Sequence, residues 1–307
     1  VVVVLTLDEG AGSINTFVEH FDRSYARRLQ EISYADLLAR GAAPRAAYVL
    51  ADRNRMSLRQ RQMTEAIRLH LREAGLPTYN DPLRQKGRYE LQTALREGGI
   101  NDFRVLRLNE DRSDLRFPVF VRRENDHNGP RTALVHTEEE ILLNVDRLIL
   151  WGMPKEDIVV VEFQDTQDPD GSFRKYGVWR LGDQFYGHHI FSGKDWLVKA
   201  QTDEKEQSRR ESDDYFNANP HVDLVRPIFD LAAIEYGRID FGFTNGRPQV
   251  WEINDNPNFV SAAQNTFGRI RKDVIYMEQL DRMAADVPSG PPISLEPLRS
   301  DLRGLLC

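Results

Sequence analysis

The chain opens on VVVVLTL (1–7), an unbroken apolar run of strand length, as expected for a strand covered on both faces. A polar, charged stretch follows, and its pattern predicts helix through Leu38. A second apolar run, AAYVLAD (46–52), predicts another strand. Met63, Ala66, Ile67, Leu71 and Ala74 then recur at helical spacing, with Ser57 placed to cap the start and Gly75 to stop it. PTYNDP (77–82) predicts an extended segment ending in a turn. Strands and helices alternating over residues 1–84 define a small α/β unit.

The pattern then changes. A helix is expected over 88–97, closed by Gly98-Gly99. FRVLRL, FPVFVRR and TALVH predict strands, with the polar loop ENDHNGP between the last two. A helix over 138–151 leads to the apolar strand DIVVVEF. Strand, loop and strand with a helix behind them have the shape of a lid. KYGVWRL, QFYGHHIF and WLVKA follow as strands. Residues 201–220 are almost entirely polar and predict a mobile loop inside one unit. A helix is expected over 222–236, and the proline-rich PSGPPISLEP predicts an extended tail.

Between them lies RIDFGFTNGRPQVWEIND (238–255). Ile239, Phe241 and Phe243 alternate with Asp240 and Gly242. Asn245-Gly246 is a strong hairpin signal. Val250, Glu252 and Asn254 share a face of the returning strand, and antiparallel pairing brings Asp240 beside them. Two neighbouring carboxylates repel unless a cation holds them. Asp, Glu and Asn offer hard oxygen ligands, the kind Mg²⁺ takes beside substrate phosphates. Periodicity alone leaves that reading level with a solvated sheet face followed by an ordinary Asx-Pro turn.

Composition narrows the classes. The 307 residues carry a net charge of −7, which argues against general nucleic-acid binding. Cys307 is the only cysteine, so no disulfide forms within the chain and nothing marks an oxidising compartment. No apolar run approaches the ~20 residues of a membrane helix. VVVVLTL is too short for the apolar core of a signal peptide and lacks a basic flank. The expectation is a cytoplasmic protein without nucleic-acid or membrane partners.

Asp240, the hairpin and EINDNP resemble the metal-binding signature of the ATP-grasp superfamily, and GRID (237–240) is similar to the matching stretch of D-alanine–D-alanine ligases. The resemblance covers about residues 88–268. It implies an α/β fold: a small N-terminal domain (1–84), a lid lobe with a leading helix (85–157), a C-terminal lobe built on an antiparallel sheet (158–285) and an extended tail (286–307). It implies ATP and two Mg²⁺ ions, with Mn²⁺ as a substitute, held by Asp240, Glu252 and Asn254, and Glu252 bridging. Arg238 would face the reacting carboxyl group as the catalytic cation. FPVFVRR resembles the lid strand that donates a lysine to the α-phosphate; Arg122 stands there, keeping the charge and adding bidentate geometry. Arg88, ahead of GGI, occupies the place of the other ATP lysine. VVVEFQD resembles the hinge whose backbone reads adenine, centred on Glu162 and Phe163. In FRKYGVWRLGD the basic position over the nucleotide falls on Gly177, and Lys175 takes the assignment.

The activity implied is ATP-dependent joining of a carboxylate to an amine, on small-molecule or peptide substrates, with ADP and phosphate released. A small-molecule kinase on the same fold and a nucleotide-binding regulator without turnover are the alternatives. Other features carry less. His188 and His189 alternate across a strand, so one of them at most would face a site. Arg53 and Arg55 follow a strand end, where open α/β sheets bind ligands, and offer either a carboxylate site or solvated arginines. Trp151, Trp179, Trp196 and Trp251 are expected as packing anchors, and Glu138 to Glu140 as a helix N-terminal run. Lys199 would reach the site if the polar loop folded over it.

Overall fold

The computed structural model describes residues 1–7, 13–21, 23–125, 129–198, 206–257 and 272–298. In the N-terminal unit β1 (Val2–Thr6) is buried along its whole length. After α1 (Ser13–Phe21), β2 (Leu29–Ser33) pairs parallel with β1. Then come α2 (Tyr34–Arg40), β3 (Ala42–Ala43), β4 (Ala47–Leu50), α3 (Leu58–Glu73) and β5 (Thr78–Tyr79). The parallel sheet has the order β2-β1-β4-β5. Val2 and Val4 pack under Ile14 and Phe17 of α1, and Val3 and Leu5 pack with Ile67 and Leu71 of α3. This two-sided cover explains the unbroken apolar run. Ser57 caps α3 as expected, in a reciprocal arrangement with Gln60. The helix expected through Leu38 is interrupted: Leu29 and Ile32 turn inward beside β1, and Ser33 caps a fresh helix, α2.

α4 (Arg88–Glu97) leads into the lid, whose strands are β6 (Val105–Arg107) and β7 (Val119–Arg123), with α5 (Glu138–Leu150) behind them and β8 (Ile158–Glu162) after it. The sheet order is β6-β8-β7, all antiparallel. With β8 at its centre, the lid sheet runs on to Glu162, past the expected boundary at 157. The strand expected at 132–136 is reduced to one bridge, between Val119 and Val135.

The C-terminal lobe holds β9 (Phe173–Leu181), β10 (Gln184–Gly193), α6 (Glu206–Ala218), α7 (Val222–Ala232), β11 (Tyr236–Thr244), β12 (Arg247–Asn254) and α8 (Lys272–Met283). Its antiparallel sheet has the order β10-β9-β11-β12. Leu91 and Leu95 of α4 pack into this lobe beside Ile239 and Val250, and not into the lid. Part of the polar stretch 201–220, expected as a loop, forms α6, anchored by buried Tyr215 and Phe216. Residues 196–198 form no strand. The tail returns to the N-terminal unit: β13 (Ile293–Ser294) pairs with β3, and Leu295 is fully buried there. Among the described residues, no helix is long and apolar enough to cross a membrane.

Candidate active site

The hairpin forms as its sequence predicts. Asn245 and Gly246 both take positive φ, 50° and 77°, the turn that matches the twist of two paired strands. The register sets Arg238 opposite Asn254 and Asp240 opposite Glu252. The next pair is Phe241 with Val250, so Trp251 is an extra residue on β12. This bulge corrects one expectation. Val250 does not share the face of Glu252; it lies in the core with Ile239 and Phe241. Bulges re-aim side chains next to sites, and here Trp251 and Glu252, neighbours in sequence, both line one cleft.

That cleft lies between the lid sheet and the C-terminal sheet. The lid contributes Phe120, Arg122, Glu162 and the adjoining Phe163; the opposite wall contributes Lys175, Asp240 and Glu252. Arg238 Nε lies 3.0 Å from Oδ1 of Asp240, and Lys175 Nζ lies 3.3 Å from Oδ2. Burial alone would raise the Asp240 pKa, but Arg238 and then Lys175 outweigh it and hold the carboxyl below its usual range. Arg88, the first residue of α4, is buried; it donates to the carbonyl of Glu124 at 2.7 Å and forms an ion pair with Glu252. Asn254 closes β12, and its Oδ1 accepts the Asn256 N–H at 3.0 Å.

Glu162 does something the sequence does not announce. Its side chain is wholly buried and accepts from the guanidinium groups and backbone N–H groups of Arg104 and Arg116. Burial would raise its pKa; Arg116 and Arg104 bring it below the usual range. Its carboxylate therefore ties the lid together, and only its position on the cleft wall fits the hinge expectation. A group with a lowered folded pKa contributes stability above its unfolded value of about 4.3 and loses it as pH falls through the folded value. Glu162→Ala removes the shared acceptor of two arginines that remain 26% and 56% exposed, so the cost is that of lost charge-assisted hydrogen bonds, about 1.5–3 kcal/mol. Its denaturation midpoint at pH 7 should drop well below wild type, and the gap should narrow in acid. An unchanged midpoint would mean that the cluster holds nothing.

His188 and His189 also depart from the expected alternation. The β9–β10 register shifts between Gly187 and His189, and both rings are buried, with Nδ1 atoms 2.7 Å apart. The His189 ring lies over Gly177, where a Cβ would meet Nδ1 at 2.7 Å, and its Nε2 is 4.0 Å from Asp240 Oδ1. Only glycine fits beneath that ring, and on the same strand Arg174 and Lys175 line the cleft.

Further cleft residues carried no sequence signal for this role. Trp196 packs against Phe120 and Phe163, with ring centroids 5.3 and 5.6 Å away. Trp196 and Trp251 line the cleft instead of acting only as anchors, while Trp179 is a core residue and Trp151 is exposed. Gln92, one turn beyond Arg88, donates to the Trp251 carbonyl at 2.6 Å. Arg53 is buried against Glu90 at 2.8 Å, and Arg55 lies 3.5 Å from Asp52. Lys199 lies outside the described residues.

Two carboxylates and a carboxamide on alternate register pairs, with Ile239 and Ile253 between, suit a hard cation. Among the described residues no group of three His, Cys, Asp or Glu converges on a metal position. Mg²⁺ takes one or two carboxylates and completes its shell with water and phosphate oxygens. The three cations already here, Arg88, Lys175 and Arg238, outnumber the two carboxylates and call for a polyanion.

A lid sheet and a larger antiparallel sheet flank this cleft, after a parallel α/β unit, and together define a two-lobed fold class. This is the fold of the ATP-grasp superfamily. The D-alanine–D-alanine ligase from Bacillus anthracis, solved with ATP, superposes with a TM-score of 0.54 at 15% identity, over 98% of this chain and 99% of that one. The ATP-grasp ligase PsnB, complexed with a minimal precursor, gives 0.54 at 14% over 92% and 99%. A RimK-domain ATP-grasp protein from Sphaerobacter thermophilus DSM 20745 gives 0.50 at 17% over 94% and 99%. No protein-family model matches the sequence, and no curated protein matches it.

Proposed function

We propose that the protein is an ATP-dependent carboxylate–amine ligase that works through an acyl phosphate. The observation that carries this reading is the pairing of Asp240 with Glu252 in the wall of a cleft whose lid bears Arg122, with Arg238 held against Asp240 and set opposite Asn254 in the same hairpin. Two proteins of similar fold are ligases, one solved with ATP and one with a precursor.

In this reading the base of ATP lies among Phe120, Phe163, Trp196 and Trp251, and its phosphates extend toward Arg122, Lys175 and Arg88. Asp240, Glu252 and Asn254 would hold Mg²⁺, which supplies neutralisation of phosphate charge during transfer. A carboxylate oxygen of the acid attacks the γ-phosphorus, the bond to ADP breaks, and an acyl phosphate forms. The amine then attacks the acyl carbon, and phosphate leaves with the bonding pair. The Arg238 guanidinium, held against Asp240, stabilises the negative charge that develops on the acyl oxygen. The lid keeps water from the intermediate.

The test is direct. Protein, ATP, Mg²⁺ and hydroxylamine are incubated with pools of amino acids and small carboxylic acids. A hydroxamate should appear, with ADP and free phosphate in equal amounts. ADP without free phosphate would instead indicate a kinase. No ADP release with any of the pools, beside intact nucleotide binding, would leave a regulator and overturn the ligase reading.

A further inference from the structure

β12 is the end strand of its sheet and pairs with β11. An open strand edge presents backbone groups without partners. Here that edge is closed by side chains from the stretch that runs from α4 into the lid. The buried Asn101 carboxamide meets Val250 twice: Nδ2 donates to the Val250 carbonyl at 3.0 Å, and Oδ1 accepts the Val250 N–H at 2.8 Å. Gln249 makes a similar exchange with Asp102, accepting its N–H at 2.8 Å and donating to Oδ2 at 2.9 Å. The third hold is Gln92, 4% exposed, whose Nε2 donates to the Trp251 carbonyl at 2.6 Å.

The three holds do different things. Val250, under Asn101, turns its side chain into the core. Trp251 is the extra residue of the bulge, which the strand ladder leaves unpaired, and Gln92 gives its carbonyl a partner. The side chains of Trp251 and Glu252 both enter the cleft. Arg88, four residues before Gln92 and so on the same face of α4, forms the ion pair with Glu252. One helix therefore grips two successive residues, Trp251 by its main chain and Glu252 by its carboxylate. A cation arriving at Glu252 competes with Arg88 for that carboxylate. The Gln92 bond to the main chain is not in that competition.

We infer that Gln92 is a positioning residue: through the Trp251 carbonyl it fixes the β12 bulge, and so sets where the Trp251 ring and the Glu252 carboxylate stand when nucleotide and metal bind. The inference rests on a cleft that takes a nucleotide with its metal, which ligase, kinase and regulator share, and not on amide formation.

Gln92→Met tests it, because methionine keeps the length of the side chain and removes the donor. Binding of a non-hydrolysable ATP analogue is titrated by calorimetry with and without Mn²⁺, beside thermal melting. Gln92→Met should melt only slightly below wild type. Its Mn²⁺ affinity in the presence of analogue should fall about 10–100-fold, the usual loss when a group that orients a metal ligand is removed. Analogue affinity without metal should fall less, through the Trp251 ring alone. Asn101→Ala unpairs both backbone groups of Val250, so it should melt at least as low, yet change either affinity less than about threefold, since Val250 faces the core and orients no ligand. Wild-type affinities in Gln92→Met would make Gln92 a packing residue, and equal losses in the two variants would make the hold a general one. Either result overturns the inference and leaves the ligase reading standing. A wild type that binds no analogue would overturn both.

Discussion

Glu252→Gln is expected to lower ATP-dependent turnover by at least about 10³-fold, with Asp240→Asn close behind. Neutralising charge on a transferring phosphoryl group is worth several kcal/mol, and each ~1.4 kcal/mol is tenfold in rate. A carboxamide keeps the shape of the carboxylate and one acceptor oxygen but loses the charge that attracts a second cation. The ion pair with Arg88 makes the choice of glutamine important. Arg88 is buried, and an alanine at 252 would strand it, whereas glutamine can still accept its hydrogen bond. Loss of activity in Glu252→Gln is thus separable from loss of fold by comparing melting curves. A second readout avoids the unidentified substrates: Mn²⁺ binding in the presence of a non-hydrolysable ATP analogue, followed by its electron paramagnetic resonance. Both variants should weaken it. Wild-type turnover in either, or undiminished Mn²⁺ binding in both, would remove Asp240 and Glu252 from metal binding.

The floor of the cleft was legible because its signals are local. A period-two pattern on both sides of Asn245-Gly246 fixes the faces, and the turn fixes the pairing. The bulges were not legible. An extra residue at Trp251, or a register shift at His188, leaves composition and spacing untouched, yet it moves Val250 to the core and turns both histidines inward. Those choices are made by neighbouring strands: the His189 ring fits only because β9 offers Gly177 beneath it. β2 was hidden for a similar reason. LQEIS contains good helix formers, and its place beside β1 overrides them. α6 was hidden by its polar composition, since two aromatic residues near its end, Tyr215 and Phe216, suffice to anchor it. The role of Glu162 needed three-dimensional contacts, because Arg104 and Arg116 come from segments far from it in sequence. Strand pairing, and not strand order, sets β8 between β6 and β7.

Arg238→Ala should leave nucleotide binding nearly intact while ligation falls by roughly 10²–10³, the usual loss when one group that stabilises a developing oxyanion is removed. The register places Arg238 two residues before Asp240 and opposite Asn254, with its guanidinium against the Asp240 carboxylate. A purely structural alternative would pair Arg238 with Glu235, three residues before it on the chain. That carboxylate instead accepts the Asn80 N–H at 3.0 Å, so the competing account is that Arg238 serves only to neutralise buried Asp240. The two accounts divide on kinetics. A group that acts on charge arising in acyl transfer lowers kcat more than it raises the ATP KM. A group that only holds Asp240 weakens ATP analogue and Mn²⁺ binding together with the rate, and Arg238→Lys, which keeps a cation beside Asp240, repairs both. The expectation is that analogue affinity changes less than about threefold in Arg238→Ala, and that Arg238→Lys recovers little of the rate, because a compact ammonium lacks the planar reach of a guanidinium. Single-turnover ligation beside thermal melting decides the matter: a destabilised variant that ligates at the wild-type rate would remove Arg238 from the chemistry.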